Sequence, residues 1–175
     1  MKTIFFFFCL LFFSNKIIAQ NKIQEFLQSG FKVNCGCELK ENTIFIAAAK
    51  QNGINNILAA YICGENSDDP NTGVANNINI SDISSNYLKI NPSFYSYFEK
   101  KSLEAYAKNL QNAGIAYNYI SFNGISALEY TFEQMDLPTK ALFFIKNKKT
   151  YLIQVGTRKN LQLKYSLLKN SFKII

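Results

Sequence analysis

The chain has no histidine and no tryptophan, and its one arginine is Arg158. Without histidine it cannot build a Ser-His or Cys-His nucleophile pair, an imidazole proton shuttle or a histidine-ligated metal site. Guanidinium groups carry most base-edge and phosphate recognition, and the lysines behind the formal net charge of +7 are scattered. We therefore expect no enzyme activity, no resident cofactor and no nucleic-acid binding.

The first 19 residues have the layout of a secretory signal peptide. Lys2 precedes an apolar run over residues 4–13, and Ala19 is the small residue before the expected cleavage point. The run is about ten residues long, whereas a membrane-spanning helix needs roughly 20, so we expect no transmembrane anchor. The remainder, residues 20–175, has the size of one domain and is expected to be secreted or periplasmic.

The first half of this domain predicts a short helix followed by strands. Apolar residues at helical spacing predict a helix over residues 21–28, and an extended stretch follows over residues 31–39. Residues 43–49 and 56–63 predict two strands joined by a glycine-containing turn. Residues 64–77 are rich in Asn, Asp, Ser and Gly and predict a loop.

The second half has the clearer pattern. Asn91 followed by proline starts a long predicted helix that ends at Gly114. An Asn-Gly turn at residues 123–124 lies inside a predicted four-strand antiparallel meander over residues 115–156. Asn160 can cap a final helix. The order of elements predicts an α+β fold in which helices flank a central antiparallel sheet.

The last third of the chain combines a long hairpin around residues 123–127, a strand pair ending at residues 151–155, a short helix, and a closing Asn-Ser-Phe at residues 170–172. Over about residues 115–175 this arrangement resembles the end of PsbP-like domains. The resemblance implies an α/β/α sandwich and a non-enzymatic accessory or binding role for a single domain over residues 20–175. No functional residue carries over, because the metal sites of the plant members use residues, including histidines, that this chain does not match.

Three cysteines follow the signal segment: Cys35, Cys37 and Cys63. In an oxidising compartment two of them are expected to form a disulfide and the third to stay free. On an extended strand Cys35 and Cys37 would have Cα atoms ~6.6 Å apart, near the outer limit for a direct bond. Cys63 on the neighbouring strand is the more natural partner of Cys37. The alternatives are a three-sulfur site for Cu(I) or Zn²⁺, in which Cys35 is also a ligand, and a redox dithiol.

Acidic residues suggest a second candidate site in the polar loop. Glu65, Asp68 and Asp69 supply enough oxygen atoms for Ca²⁺, although their spacing is not that of an EF-hand. We prefer a solvated loop, because Asn, Asp and Gly are ordinary turn residues.

Two further groups of residues have structural explanations. Glu129 and Glu133 alternate along one strand, about 13 Å apart, and predict a solvated sheet face rather than an acid–base pair. The aromatic residues at 94–98 predict a helix face packed on the core rather than an exposed binding patch.

Our first functional hypothesis is therefore a non-enzymatic exported domain. It would bind another envelope protein or a small apolar ligand in a crevice between helix and sheet. The alternative is a thiolate metal-binding or redox protein that uses Cys35, Cys37 and Cys63. A hydrolase based on lysine or carboxylate chemistry ranks third, because we find no such site in the sequence.

Overall fold

The structure is a computed structural model that describes residues 23–66, 69, 71–134 and 136–175, so the predicted signal segment, residues 1–19, lies outside the described residues. Two 3₁₀ turns, Ser84–Tyr87 and Pro92–Phe94, precede the longest helix among the described residues. The helices and strands in chain order are β1 Gln24–Phe26, β2 Phe31–Val33, β3 Lys40–Glu41, α1 Thr43–Gln51, β4 Ile57–Glu65, β5 Val74–Asp82, α2 Tyr95–Asn112, β6 Tyr117–Phe122, β7 Ile125–Gln134, β8 Leu137–Lys146, β9 Lys149–Gly156, α3 Leu161–Ser171 and β10 Lys173–Ile174.

The predicted α+β class is confirmed, with antiparallel pairing between all neighbouring strands. A seven-stranded sheet has the order β3-β4-β5-β9-β8-β7-β6, and a small sheet has the order β1-β2-β10. The predicted four-strand meander is confirmed as β6 to β9. Among the described residues no helix combines the length and the hydropathy that crossing a membrane requires.

Both tight turns of the meander adopt left-handed backbone conformations. Asn123 and Gly124 have φ of 50° and 77°, as a two-residue hairpin turn requires. The turn between β8 and β9 uses Asn147 and Lys148 at φ of 53° and 59°. Lysine has a side chain that disfavours this region, so the second turn is formed against its local preference.

The large sheet carries a separate apolar cluster on each face. Along β8, Leu142 and Phe144 face one cluster, whereas Phe143 and Ile145 face the other, as the alternation of a strand requires. The helix α2 packs on the second face through residues such as Leu103. The helix α3 and the small sheet pack on the first face. The sheet is therefore buried on both sides over β7 to β9.

Two predictions for the first half are wrong. The segment predicted as a helix over residues 21–28 contains the strand β1, because the ring of Phe26 stacks on Phe31 at 4.7 Å and β1 pairs with β2. The segment predicted as a strand over residues 43–49 is the helix α1. The Asn42 side chain caps it by accepting a hydrogen bond from the Phe45 amide at 3.1 Å, and three alanines in the segment favour a helix.

The predicted loop over residues 64–77 is shorter than expected. The strand β4 continues to Glu65 and β5 begins at Val74, so most of the asparagine-rich stretch that follows is strand. Pairing with β4 on one side and β9 on the other overrides the low strand propensity of asparagine. The long helix begins at Tyr95, later than predicted: Asn91 accepts a hydrogen bond from the Ser93 amide at 3.0 Å, but it caps the 3₁₀ turn Pro92–Phe94 that leads into α2.

Burial distinguishes two phenylalanines that the sequence does not separate. Phe144 is fully buried, whereas Phe94 is 59% exposed. We expect Phe144→Ala to lower the free energy of unfolding by about 3–5 kcal/mol, because it leaves a cavity in the core. The matched control Phe94→Ala should change it by no more than about 0.5 kcal/mol. Urea denaturation followed by circular dichroism measures both, and equal losses would contradict the assigned core.

Candidate functional site

A groove of about 870 Å³ lies between α2 and the sheet. We call it the α2 groove. One wall is the first half of α2, and the other comes from β6, β7, β8 and the turn between β6 and β7. The residues that line it are Ser96, Tyr97, Glu99, Lys100, Leu103, Glu104, Tyr119, Gly124, Ile125, Ser126, Ile145 and Lys146.

The α2 groove combines an apolar base with aromatic and cationic groups. Leu103 and Ile145 are buried, whereas Tyr97 and Tyr119 are 61% and 55% exposed. Lys100 and Lys146 form no ion pair with any described residue. Such a surface suits an amphipathic molecule with an apolar body and an anionic end.

The carboxylates of the same groove are already engaged. Glu99 accepts a hydrogen bond from the Tyr87 hydroxyl at 3.2 Å. Glu104 forms an ion pair with Lys101 at 2.8 Å. Their negative charges are partly compensated by these contacts, so the two groove lysines remain the cations available to a ligand.

The aromatic residues at 94–98 do not form the predicted core stripe. Phe94 and Tyr97 are exposed, and Tyr95 and Phe98 are half-buried against Tyr87, with ring centroids 4.9 Å apart in both pairs. The buried residues of α2 begin only at Leu103. The first turns of the helix therefore extend beyond the core. The aromatic pattern reflects contact with Tyr87 of the 3₁₀ turn Ser84–Tyr87.

The three cysteines form one sulfur cluster, which confirms the predicted pair. Cys37 and Cys63 are joined by a disulfide, and Cys35 is a buried free thiol. The Cys35 Sγ lies 3.6 Å from the Cys63 Sγ, and all three sulfur atoms lie within 4.8 Å of one another. Among the described residues, these three cysteines form a group whose ligand atoms lie close enough together to hold a metal ion.

A glycine brings both Cys35 and Cys37 to Cys63. Gly36 has φ of 68°, so the segment turns instead of continuing as the extended strand that the sequence predicted. A Cβ at this position would lie 2.8 Å from a carboxylate oxygen of Glu65, and its left-handed backbone disfavours other residues. The turn places the two cysteines on either side of a shared partner.

Two side-chain amides, those of Gln24 and Asn76, contact the sulfur cluster. The Gln24 Nε2 donates to the Cys37 carbonyl at 2.8 Å and contacts the Cys35 Sγ at 3.5 Å. The Asn76 Nδ2 lies 3.3 Å from the Cys37 Sγ and 3.8 Å from the Cys63 Sγ. Asn76 is directly opposite Cys63 in the β4–β5 register and is only 3% exposed.

The environment of the free thiol keeps it protonated. Burial raises the pKa of Cys35 above its ordinary value, although hydrogen bonds with the Cys37 backbone and Gln24 oppose part of that rise. The protonated thiol donates to the Cys37 carbonyl at 3.2 Å. The resting cluster is therefore one disulfide beside one neutral thiol.

A second groove, of about 730 Å³, opens beside the disulfide. We call it the disulfide groove. Cys37 and Cys63 line it together with apolar residues that include Ile62, Val74 and Leu137. Its charged lining residues are two acidic and two basic ones: Glu38, Asp69, Lys40 and Arg158. A molecule in this groove would meet the disulfide, whereas the buried Cys35 thiol does not line it.

The two described carboxylates of the predicted calcium loop, Glu65 and Asp69, each have other partners. Glu65 forms an ion pair with Lys164 at 2.6 Å. Asp69 accepts hydrogen bonds from Thr72 and from the Asn71 amide, which hold the pKa of its carboxyl below the usual range. Asp68 lies outside the described residues. The calcium site stays a prediction, without support from the two carboxylates that are placed.

The prediction of a solvated position is wrong for Glu129 and confirmed for Glu133, which is exposed. The Glu129 side chain is 15% exposed because α3 covers this face of the sheet. Its carboxylate accepts hydrogen bonds from the Tyr165 hydroxyl and the Lys169 Nζ, both at 2.9 Å, and pairs with the Lys140 Nζ at 3.0 Å. Lys140 lies on the neighbouring strand β8, but Tyr165 and Lys169 come from α3, more than 30 residues along the chain, so no local pattern reveals their contact with Glu129.

Burial raises the pKa of Glu129, but hydrogen bonds from Lys169, Lys140 and Tyr165 outweigh it, so the pKa lies below its ordinary value of 4.5. The carboxylate therefore stabilises the fold above that value, and its contribution is lost as the pH falls through the folded-state pKa.

We expect Glu129→Gln to be less stable than the wild-type protein by about 1–3 kcal/mol at pH 7, because two lysines lose their partner. The difference should shrink as the pH falls towards about 3, where the wild-type carboxyl is also neutral. Urea denaturation at a series of pH values measures it. The exposed control Glu133→Gln should match the wild-type protein at every pH. A difference for Glu129→Gln that does not depend on pH would contradict the assigned ion pairs.

Comparison with known proteins adds no relative to this picture: no protein-family model matches the chain, and no curated protein is significantly similar to it.

Proposed function

We propose that the chain is an exported, non-enzymatic binding domain that takes a small apolar ligand in the α2 groove. The observation that carries the proposal is a crevice of about 870 Å³ between helix and sheet, within the size range of small-molecule sites. The signal layout of residues 1–19 supports export. The expected PsbP-like α/β/α sandwich belongs to this proposal, and the packing of α2 and α3 on opposite sheet faces supports it.

The groove favours a ligand with an apolar body and an anionic end. Leu103 and Ile145 supply apolar contact, Tyr97 and Tyr119 can stack against the ligand, and Lys146 supplies a cation at the rim. The alternative ligand is an exposed segment of another envelope protein that likewise has an apolar body and an anionic end.

Anilinonaphthalene sulfonate, an apolar anion, is a suitable probe for the α2 groove. We expect saturable binding with increased dye fluorescence at a single site. Tyr97→Ala and Tyr119→Ala should each weaken the affinity about fivefold, because each removes an aromatic contact.

Phe94→Ala is the matched control for this experiment. Phe94 lies next to α2 and is as exposed as Tyr97, but it does not line the α2 groove. Its variant should bind the dye with unchanged affinity. Non-saturable binding, or an equal loss in the Phe94 and Tyr97 variants, would refute the groove as the binding site.

The sulfur cluster favours a second candidate function, a thiolate site for a soft metal. Three sulfur atoms within 4.8 Å of one another approach the ligand set that Cu(I) prefers once the disulfide is reduced. Cu(I) suits the cluster better than Zn²⁺, which normally takes four ligands and finds no histidine in this chain.

Titration of the fully reduced protein with Cu(I), in competition with a chromogenic chelator, tests this candidate. We expect one equivalent to bind tightly, and Cys35→Ala to weaken the affinity by at least about tenfold through loss of a ligand. Circular dichroism of each sample controls for folding. Absence of stoichiometric binding to the reduced, folded protein would eliminate the candidate.

A further inference from the structure

The sulfur cluster gives Cys63 two possible disulfide partners. Its Sγ is bonded to Cys37 and lies 3.6 Å from the Cys35 thiol. The two competing cysteines are separated only by Gly36, whose left-handed backbone turns both towards the same strand. Changing the partner of Cys63 therefore needs rotation of cysteine side chains and no rearrangement of the sheet.

We propose that the oxidised chain contains an exchangeable disulfide that moves its free thiol from the interior to the disulfide groove. The thiolate of Cys35 attacks the Sγ of Cys63, the bond between Cys63 and Cys37 breaks, and a bond between Cys35 and Cys63 forms. Cys37 leaves as a thiolate and takes up a proton from water in place of the one that Cys35 released. One disulfide and one thiol are present before and after, so the step needs no oxidant or reductant.

Asn76 lies where this exchange needs a hydrogen-bond donor. Negative charge develops on the leaving sulfur, and the Asn76 Nδ2 lies 3.3 Å from the Cys37 Sγ. Its side chain is buried and its strand register is fixed opposite Cys63, so the donor is already oriented before the reaction. The Gln24 Nε2, 3.5 Å from the Cys35 Sγ, is the corresponding donor on the attacking side.

The two arrangements differ in what they expose. In the resting state the thiol at Cys35 is buried and does not line the disulfide groove. After exchange the thiol is at Cys37, which is half-buried and does line it. The thiolate and not the thiol is the attacking nucleophile, so the exchange accelerates as the pH rises.

The chemistry of the disulfide groove indicates the class of partner. Ile62, Val74 and Leu137 line this groove together with Cys37, and its two acidic residues, Glu38 and Asp69, are matched in number by two basic ones, Lys40 and Arg158. An apolar peptide segment that carries a disulfide fits such a surface. The Cys37 thiolate would attack one sulfur of that disulfide, form a mixed disulfide with it and release the other as a peptide thiol.

This inference uses the same sulfur atoms as the second candidate function, but in the oxidised chain. The metal titration needs fully reduced protein, whereas the exchange needs an intact disulfide. Failure of either experiment therefore leaves the other standing.

Alkylation of the native, oxidised protein tests the exchange directly. The protein is treated with iodoacetamide, quenched in acid and digested at low pH to prevent further exchange, and mass spectrometry then locates the label. We expect the label on Cys37 and a disulfide between Cys35 and Cys63, at a rate that rises with pH. A label on Cys35 beside an intact Cys37–Cys63 disulfide would overturn the proposal. So would the absence of native labelling in a protein that takes up one label after unfolding.

Variants of Asn76 test the role of the donor. We expect Asn76→Ala to slow the labelling of Cys37 about tenfold, because the leaving thiolate loses its hydrogen bond. The matched control is Asn79→Ala, which changes an asparagine on the same strand but on the opposite sheet face, where it pairs with Leu152. Equal labelling rates in the two variants would remove Asn76 from the mechanism.

Cys37→Ala provides a test that does not depend on rates or on Asn76. If Cys63 can take either partner, the oxidised variant should contain a disulfide between Cys35 and Cys63 and no free thiol. Two free thiols after air oxidation of the folded variant would show that Cys35 cannot reach Cys63, and would overturn the exchange. Cys35→Ala is the control, because it keeps the native disulfide and should take up no label.

Discussion

The pairing of β5 with β9 is the interaction on which the rest of the structure depends. The other pairings of the large sheet join strands close in sequence, whereas this one runs from Ala75 opposite Gly156 to Asp82 opposite Lys149 and joins the two halves of the chain. It is costly to form because a long loop must close first. Once formed, it makes one continuous sheet whose two faces can bury α2 and α3. The pairing of β5 with β4 on its other edge places Asn76 opposite Cys63.

The dependence on one long-range pairing explains which elements the sequence could predict. The β6 to β9 meander follows from alternation and from the Asn-Gly turn at residues 123–124, both of which are local. In the first half, β1 depends on contact of Phe26 with the distant Tyr61 as well as with Phe31. The helix α1 is the exception, because the Asn42 cap and three alanines that favour it are local signals. Three of the nine residues of β5 are asparagines, and the segment becomes a strand because β4 and β9 both pair with it.

Each candidate site likewise has features that local sequence predicts and features that depend on distant parts of the chain. The partner of Cys37 could be predicted from compartment and spacing, but the closeness of Cys35 could not, because it depends on the backbone turn at Gly36. The half-buried position of Glu129 depends on α3 folding back over the sheet. Residue type and spacing alone describe a face of a strand; which faces are covered is decided by packing between elements far apart in sequence.

The position of Cys63 in the rigid sheet also distinguishes this disulfide from an ordinary structural one. An ordinary structural disulfide stabilises a fold mainly by shortening the loops of the unfolded chain, and any well-placed pair of cysteines can do this. Here β4 and β5 hold Cys63 rigidly in the sheet, while Cys35 and Cys37 lie on a short turn outside any strand. The fixed sulfur and its amide donor are thus supplied by the sheet, and the two exchangeable sulfurs by the turn. Because the sheet keeps its pairing with either partner, the position of the free thiol can change without loss of the fold that creates the site.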